Sequence, residues 1–98
     1  MDDFELVLTD ATLEKLKIKH DVTVLEVEEA FFNWEGSPLK DKRAKHKTRP
    51  STVWFISATS EGRILKVVGI PFADRKEFVL KSAFEPDDWE IKYYEKNQ

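Results

Sequence analysis

The sequence predicts a small α+β domain, a compact antiparallel β-sheet with helices packed on one face, in the order βααβββα. Three observations carry this expectation. Apolar residues recur at helical spacing in the first third of the chain, the period shortens to two after Pro50, and the strand-like runs there are separated by short polar turns. Sequential strands joined by short turns pair as an antiparallel meander.

Each element has a local reason. Phe4 to Leu8 reads as a short strand, and Asp10 caps a helix of two turns at most over Ala11 to Ile18, with Leu13 and Leu16 on one side. Thr23 and Glu26 form a T-x-x-E capping box, and Val22 and Val27 have the spacing of a hydrophobic staple. The stripe Val24, Val27, Ala30 and Phe31 predicts a second helix over 24–33, ended by Asn33, Gly36, Ser37 and Pro38. His20 falls in the turn between the two helices and is given no chemical role. Strands are expected over Thr52–Thr59, Arg63–Phe72 and Glu77–Phe84, with turns at Glu61-Gly62 and Ala73–Lys76. Alternation places Lys66 on a face with Ile64 and Val68, and Lys81 on a face with Val79 and Ala83. Each is a lone cation in an apolar row, either snorkelling at a sheet edge or standing in a shallow pocket. Pro86 opens a last helix with Asp87 and Asp88 in its first turn and Lys92 and Lys96 towards its end, the order that suits the helix dipole. Trp89 and Tyr93 lie four apart and can pack together, while Tyr94 falls on another face, open to a partner.

The 98 residues form one domain, 1–98, with 41% apolar residues, seven Phe and three Trp, a composition that folds. There is no Cys, so neither disulfides nor thiolate metal sites enter, and a cytoplasmic location is expected. No run approaches a membrane span or a secretory signal. Charge is segregated. Residues 1–35 hold ten acids and three Lys or Arg, whereas Lys40 to Arg49 hold six bases and one acid, within a chain of net charge −3. A basic segment in acidic surroundings suits a small, local anionic target better than a long nucleic-acid track.

Most enzyme templates are missing: there is no G-x-S-x-G, H-E-x-x-H, Gly-rich phosphate loop or Rossmann fingerprint, and no cofactor or metal is expected. The residues that remain suit metal-free phosphodiester cleavage, in which a 2′-hydroxyl is activated, the phosphorane charge is neutralised and the leaving oxygen is protonated. His46 and Glu85 are the proton-transfer candidates, and Arg43, Lys66 and Lys81 the phosphate ligands. Lys45, Lys47 and Arg49 would hold the RNA backbone, with Trp54, Phe84 or Tyr94 as stacking platforms. Plainer readings stand beside these. The basic run is also an ordinary solvated loop, Asp41 and Arg43 an ordinary surface ion pair, Glu85 an element boundary, and Trp54 and Trp89 packing residues.

The succession His20-Asp21-Val22, helix, the D-x-R-x-x-H of Asp41, Arg43 and His46, then WFI, Gly62-Arg63 with LKVV, and LKSAFEP before a Tyr-containing helix resembles the BrnT-like toxins of type II toxin–antitoxin systems. The resemblance runs from about Thr12 to Lys96. It implies a RelE-like fold, endoribonuclease activity without metal, a cognate DNA-binding antitoxin, and assembly as a dimer or a toxin–antitoxin hetero-oligomer. By position it implies roles for Asp41, Arg43, His46, Arg63, Lys66, Lys81 and Glu85. Short bacterial proteins labelled ADP-ribosyl-(dinitrogen reductase) hydrolase share the pattern. Hydrolases of that type are larger helical proteins with metal-binding carboxylates, which this chain lacks. One departure stands out: the resemblance implies Ser-Ala-Arg on the last strand, and here Phe84 follows Ser82-Ala83. Two readings follow, a toxin-like endoribonuclease and a non-enzymatic module that docks a protein or an acidic ligand through the basic loop.

Overall fold

The computed structural model describes residues 3–42 and 49–98. The elements are β1 (Glu5–Val7), α1 (Asp10–Lys15) continued by a π-helical turn (Leu16–His20), α2 (Val24–Asn33), β2 (Leu39–Lys40), β3 (Val53–Ala58), β4 (Ile64–Phe72), β5 (Glu77–Phe84) and α3 (Asp88–Lys96). The protein is a small α+β domain. Its five-stranded sheet has the order β1-β5-β4-β3-β2 and is mixed: β1 runs parallel to β5 while every other pair is antiparallel. The expectation of a purely antiparallel sheet is corrected here. The chain after β1 crosses the sheet as helix before it re-enters, which leaves β1 aligned with the last strand. β2 is a further addition, because Leu39 and Lys40 pair with Trp54 and Val53 where sequence suggested loop.

The capping box forms as read. The Thr23 amide donates to Glu26 Oε1 at 3.0 Å and the Glu26 amide donates to Thr23 Oγ1 at 3.1 Å. Val22 and Val27 are both buried, so the staple holds the chain where it turns into α2.

Helices lie on both faces of the sheet, which corrects the one-face expectation. Trp54 and Phe55 are neighbours on β3 and so point to opposite sides. Phe55 meets Phe31 of α2 with ring centroids 6.3 Å apart, and Trp54 meets Tyr94 of α3 at 5.7 Å. Accordingly β4 is buried without a break from Leu65 to Ile70, the mark of a strand covered on both faces. Trp34, the C-cap of α2, ties the layers together. Its ring stacks on Phe55 at 3.9 Å, and its indole Nε1 donates to Tyr94 Oη at 2.8 Å.

The alternation along β5 is broken by a bulge. Val68 pairs with Ser82 and Gly69 with Leu80, so Lys81 is the extra residue with no partner of its own on β4. Val79 and Ala83 therefore fall on opposite faces, and the sequence-based grouping of Lys81 with both does not hold. On α3 the inward stripe is Glu90 and Tyr94, which are buried, while Trp89 and Tyr93 are exposed. Asp87 is the N-cap, with its amide donating to Glu90 Oε1 at 3.0 Å, so Pro86 precedes the helix instead of opening it.

Candidate functional site

The basic segment connects the edge strand β2 to its neighbour β3. Lys40 pairs with Val53 in the β2–β3 ladder, and beyond it the Asp41 amide donates to the Thr52 carbonyl at 2.8 Å. The chain between 41 and 52 thus leaves and returns at one point of the sheet. Lys40, Lys42 and Arg49 are exposed there. Arg43, Lys45, His46 and Lys47 lie outside the described residues. Val53 pairs with Gly69, and Gly69 with Leu80, so the bulged and exposed Lys81 stands at the same level of the sheet, two strands over. At ladder spacing that is about 10 Å from the β3 backbone.

Lys66 occupies a different environment. It points to the α3 face, is only 8% exposed, and its Nζ makes an ion pair with Glu90 Oε2 at 2.5 Å. The ammonium also sits 4.5 Å from the Trp54 ring centroid and 5.5 Å from that of Phe84. A lysine taken out of water needs a carboxylate, and Glu90 supplies it from the first turn of α3. Of the two sequence-based alternatives, edge snorkelling and an open shallow pocket, neither describes this site: Lys66 is sealed under a helix.

Arg63 is a structural clasp at the far end of the sheet. Its Nη1 donates to both Glu26 carboxylate oxygens, at 3.0 and 2.9 Å, and to the Asp21 carbonyl at 2.9 Å. Nη2 reaches the His20 carbonyl at 3.4 Å and Nε reaches Glu85 Oε1 at 3.4 Å. One guanidinium therefore joins the turn before α2, the α2 cap, the start of β4 and the end of β5. The Glu26 carboxyl is held below its ordinary value of 4.5, first by the Thr23 amide and then by Arg63. A depressed carboxyl stabilises the fold above its unfolded pKa, and that contribution disappears as the pH falls through the lower folded value. Replacing Arg63 with methionine should cost about 2 kcal/mol at neutral pH, the scale of a lost hydrogen-bonded charge. The gap from wild type should narrow as the pH falls below 4.5, where the carboxyl of the unfolded chain protonates, and close through the lower value at which folded Glu26 does. Urea midpoints of both proteins across that range check it; a pH-independent gap would remove Glu26 from the account.

The sequence-selected residues thus divide into three places. Lys81 shares a level with the basic connection. Lys66 lies mid-sheet beneath α3. Glu85 stands with Arg63 at the opposite end, just past the last residue of β5 and four residues beyond Lys81, so about 13 Å further along the strand direction. Trp54 and Tyr94 are buried, which corrects the expectation of an open Tyr94 and leaves neither ring a free face for a base. The Tyr94 phenol is pushed up by burial, against the pull of the Trp34 indole. Trp89, assigned to packing on sequence, is instead 64% exposed. The His20 ring rests 5.3 Å from Phe84. Sequence reasoning misses Glu90, although a lone lysine in an apolar row is itself a signal that a carboxylate has to be nearby.

Among the described residues no three His, Asp or Glu side chains gather as metal ligands, and no helix is long and apolar enough to cross a membrane. Comparison of the chain with family models, curated proteins and solved structures gives no match.

Proposed function

We propose that the protein is a toxin-like, metal-independent endoribonuclease with a RelE-like arrangement of its α+β fold, acting in the cytoplasm and neutralised by a cognate DNA-binding antitoxin. The observation that carries this reading is the concentration of six Lys and Arg between residues 40 and 49 of a net acidic chain, on a connection held at both ends by the Asp41–Thr52 hydrogen bond. Anchoring lowers the entropy lost when those cations gather round a phosphate. The BrnT-like succession of motifs supports the same reading.

In this proposal Arg43 holds the scissile phosphate through its fork of donors, and Lys81 adds charge from the β5 bulge. His46 serves proton transfer. The 2′-oxygen loses its proton as it bonds to phosphorus, the P–O5′ bond breaks, and the departing 5′-oxygen takes up a proton, leaving a 2′,3′-cyclic phosphate and a 5′-hydroxyl. Lys66 acts through its bond to Glu90, by keeping α3 on the sheet, and Arg63 by holding Glu85 and the α2 cap. Both are positioning residues in this scheme.

The test is incubation with single-stranded RNA in EDTA. Wild type should produce cyclic-phosphate ends, an Arg43→Ala/His46→Ala variant should be slower by at least about a hundredfold, and 2′-O-methyl RNA should resist. Cleavage that persists in the double variant, or on methylated RNA, sinks the proposal.

A second reading, a non-enzymatic docking module, is favoured by one observation: Phe84 stands where the resemblance implies arginine, and its ring lies beside a Lys66 already matched by Glu90. Under it the protein leaves RNA intact, causes no growth arrest on expression, and is recovered from cells with a stable protein partner.

A further inference from the structure

We infer that the free edge of β1 and the adjoining face of α2 form a docking groove for an extended protein segment in which basic residues alternate with apolar ones. The groove is independent of the ribonuclease reading, because it uses the opposite edge of the sheet and the opposite sign of charge.

The backbone supplies the first requirement. Among the described residues β1 is an end strand, paired only with β5. The Glu5 amide donates to the Lys76 carbonyl at 2.8 Å, so it points toward β5. Alternate residues of a strand present their amides to opposite sides, which turns the N–H and C=O of Leu6 outward. An edge so short and unguarded by proline or lysine can accept another strand.

The side chains supply the second. Beside that edge lies a cavity of about 660 Å³ between β1 and the C-terminal half of α2. Its walls include Phe31, Phe32 and Trp34, with Glu5, Glu28 and Glu35 at the rim. Phe32 is 88% exposed, the most exposed large apolar side chain among the described residues. The three carboxylates are exposed, and none has a cation within ion-pair distance among the described residues.

Charge decides the occupant. A nucleic acid would meet three carboxylates, and a second copy of this chain would bring the same three to the same edge. A segment carrying Lys or Arg on one face and Val, Ile or Leu on the other meets both the rim and the apolar wall, and its backbone completes the ladder at Leu6.

The probe is a labelled peptide of about eight residues in which lysine alternates with isoleucine, titrated into the full chain and followed by fluorescence anisotropy. Saturable binding is expected, about tenfold weaker for Phe32→Ser and for Glu5→Gln/Glu28→Gln, all surface changes that the fold tolerates. A peptide N-methylated on the edge-facing amides should bind equally poorly, and amide exchange should slow at Leu6. Equal affinity for a scrambled or N-methylated peptide would reduce the effect to bulk charge and overturn the inference. So would no binding, or a wild-type dimer that Phe32→Ser dissolves, since the groove would then belong to a second copy.

Discussion

Replacing Lys66 with methionine should lower the stability of the fold by about 3 kcal/mol, because it strands the buried Glu90 carboxylate. The Glu90 and Lys66 side chains are 8% and 11% exposed, so water does little to compensate either charge once its partner is gone. Glu90→Gln should cost a comparable amount from the other side, leaving an ammonium between Trp54 and Phe84. The glutamine carbonyl can still accept from the Asp87 amide, so the loss reports the ion pair and not the helix cap. The double variant Lys66→Met/Glu90→Gln leaves no buried charge unpaired and should be more stable than either single variant, a recovery of more than about 3 kcal/mol against the sum of the two losses in a double-mutant cycle. Urea midpoints supply all four corners. Two single variants within error of wild type would mean that the pair is not sealed as described. The same double variant also separates structure from chemistry. If it is stable and still cleaves RNA, Lys66 is a positioning residue; if it is stable and inactive, Lys66 reaches the phosphate directly.

Gly69→Ala should be nearly as damaging, again about 3 kcal/mol, at the upper end of what an overpacked core costs. A Cβ at this position would stand 2.6 Å from the Val79 carbonyl oxygen and closer still to the Phe78 ring. The ring can tilt, but the carbonyl belongs to the partner strand at the point where the register shifts. Trimming Phe78 to leucine in the Gly69→Ala background should therefore recover little. For a domain of this size the expected fall in Tm is about 15 °C. Gly62 is the control. Its φ is +89° and a Cβ added there would meet nothing within 4 Å, so Gly62→Ala should cost only the left-handed backbone strain, about 1 kcal/mol. A loss at Gly69 no larger than the one at Gly62 would overturn the close approach of β5 as the reason for glycine at this position.

Local rules carry far along this chain. The α2 boundaries, its capping box and the span of β5 depend on residues within a turn or a hairpin of each other, and the structure has them where the sequence places them. The sequence places the final helix but not its rotation. Trp89 and Tyr93 have the spacing of a buried stripe, yet Glu90 and Tyr94 are the residues inside. One residue is about 100° on a helix, and the deciding contact is the need of Lys66 for a carboxylate, which no local window contains. The bulge at Lys81 is equally hidden, since alternation along one strand cannot report the register of its neighbour.

The basic segment, the acidic first third, the α2 cap and the succession of strands belong to the sequence alone, because charge, capping and period are written in adjacent residues. Tertiary structure decided that β1 lies beside β5, that both faces of the sheet are covered, that Arg63 is a clasp, and that Lys66 is paired and sealed. Each of those depends on groups far apart in the chain meeting under a low dielectric, where a charge finds a partner or the element does not pack.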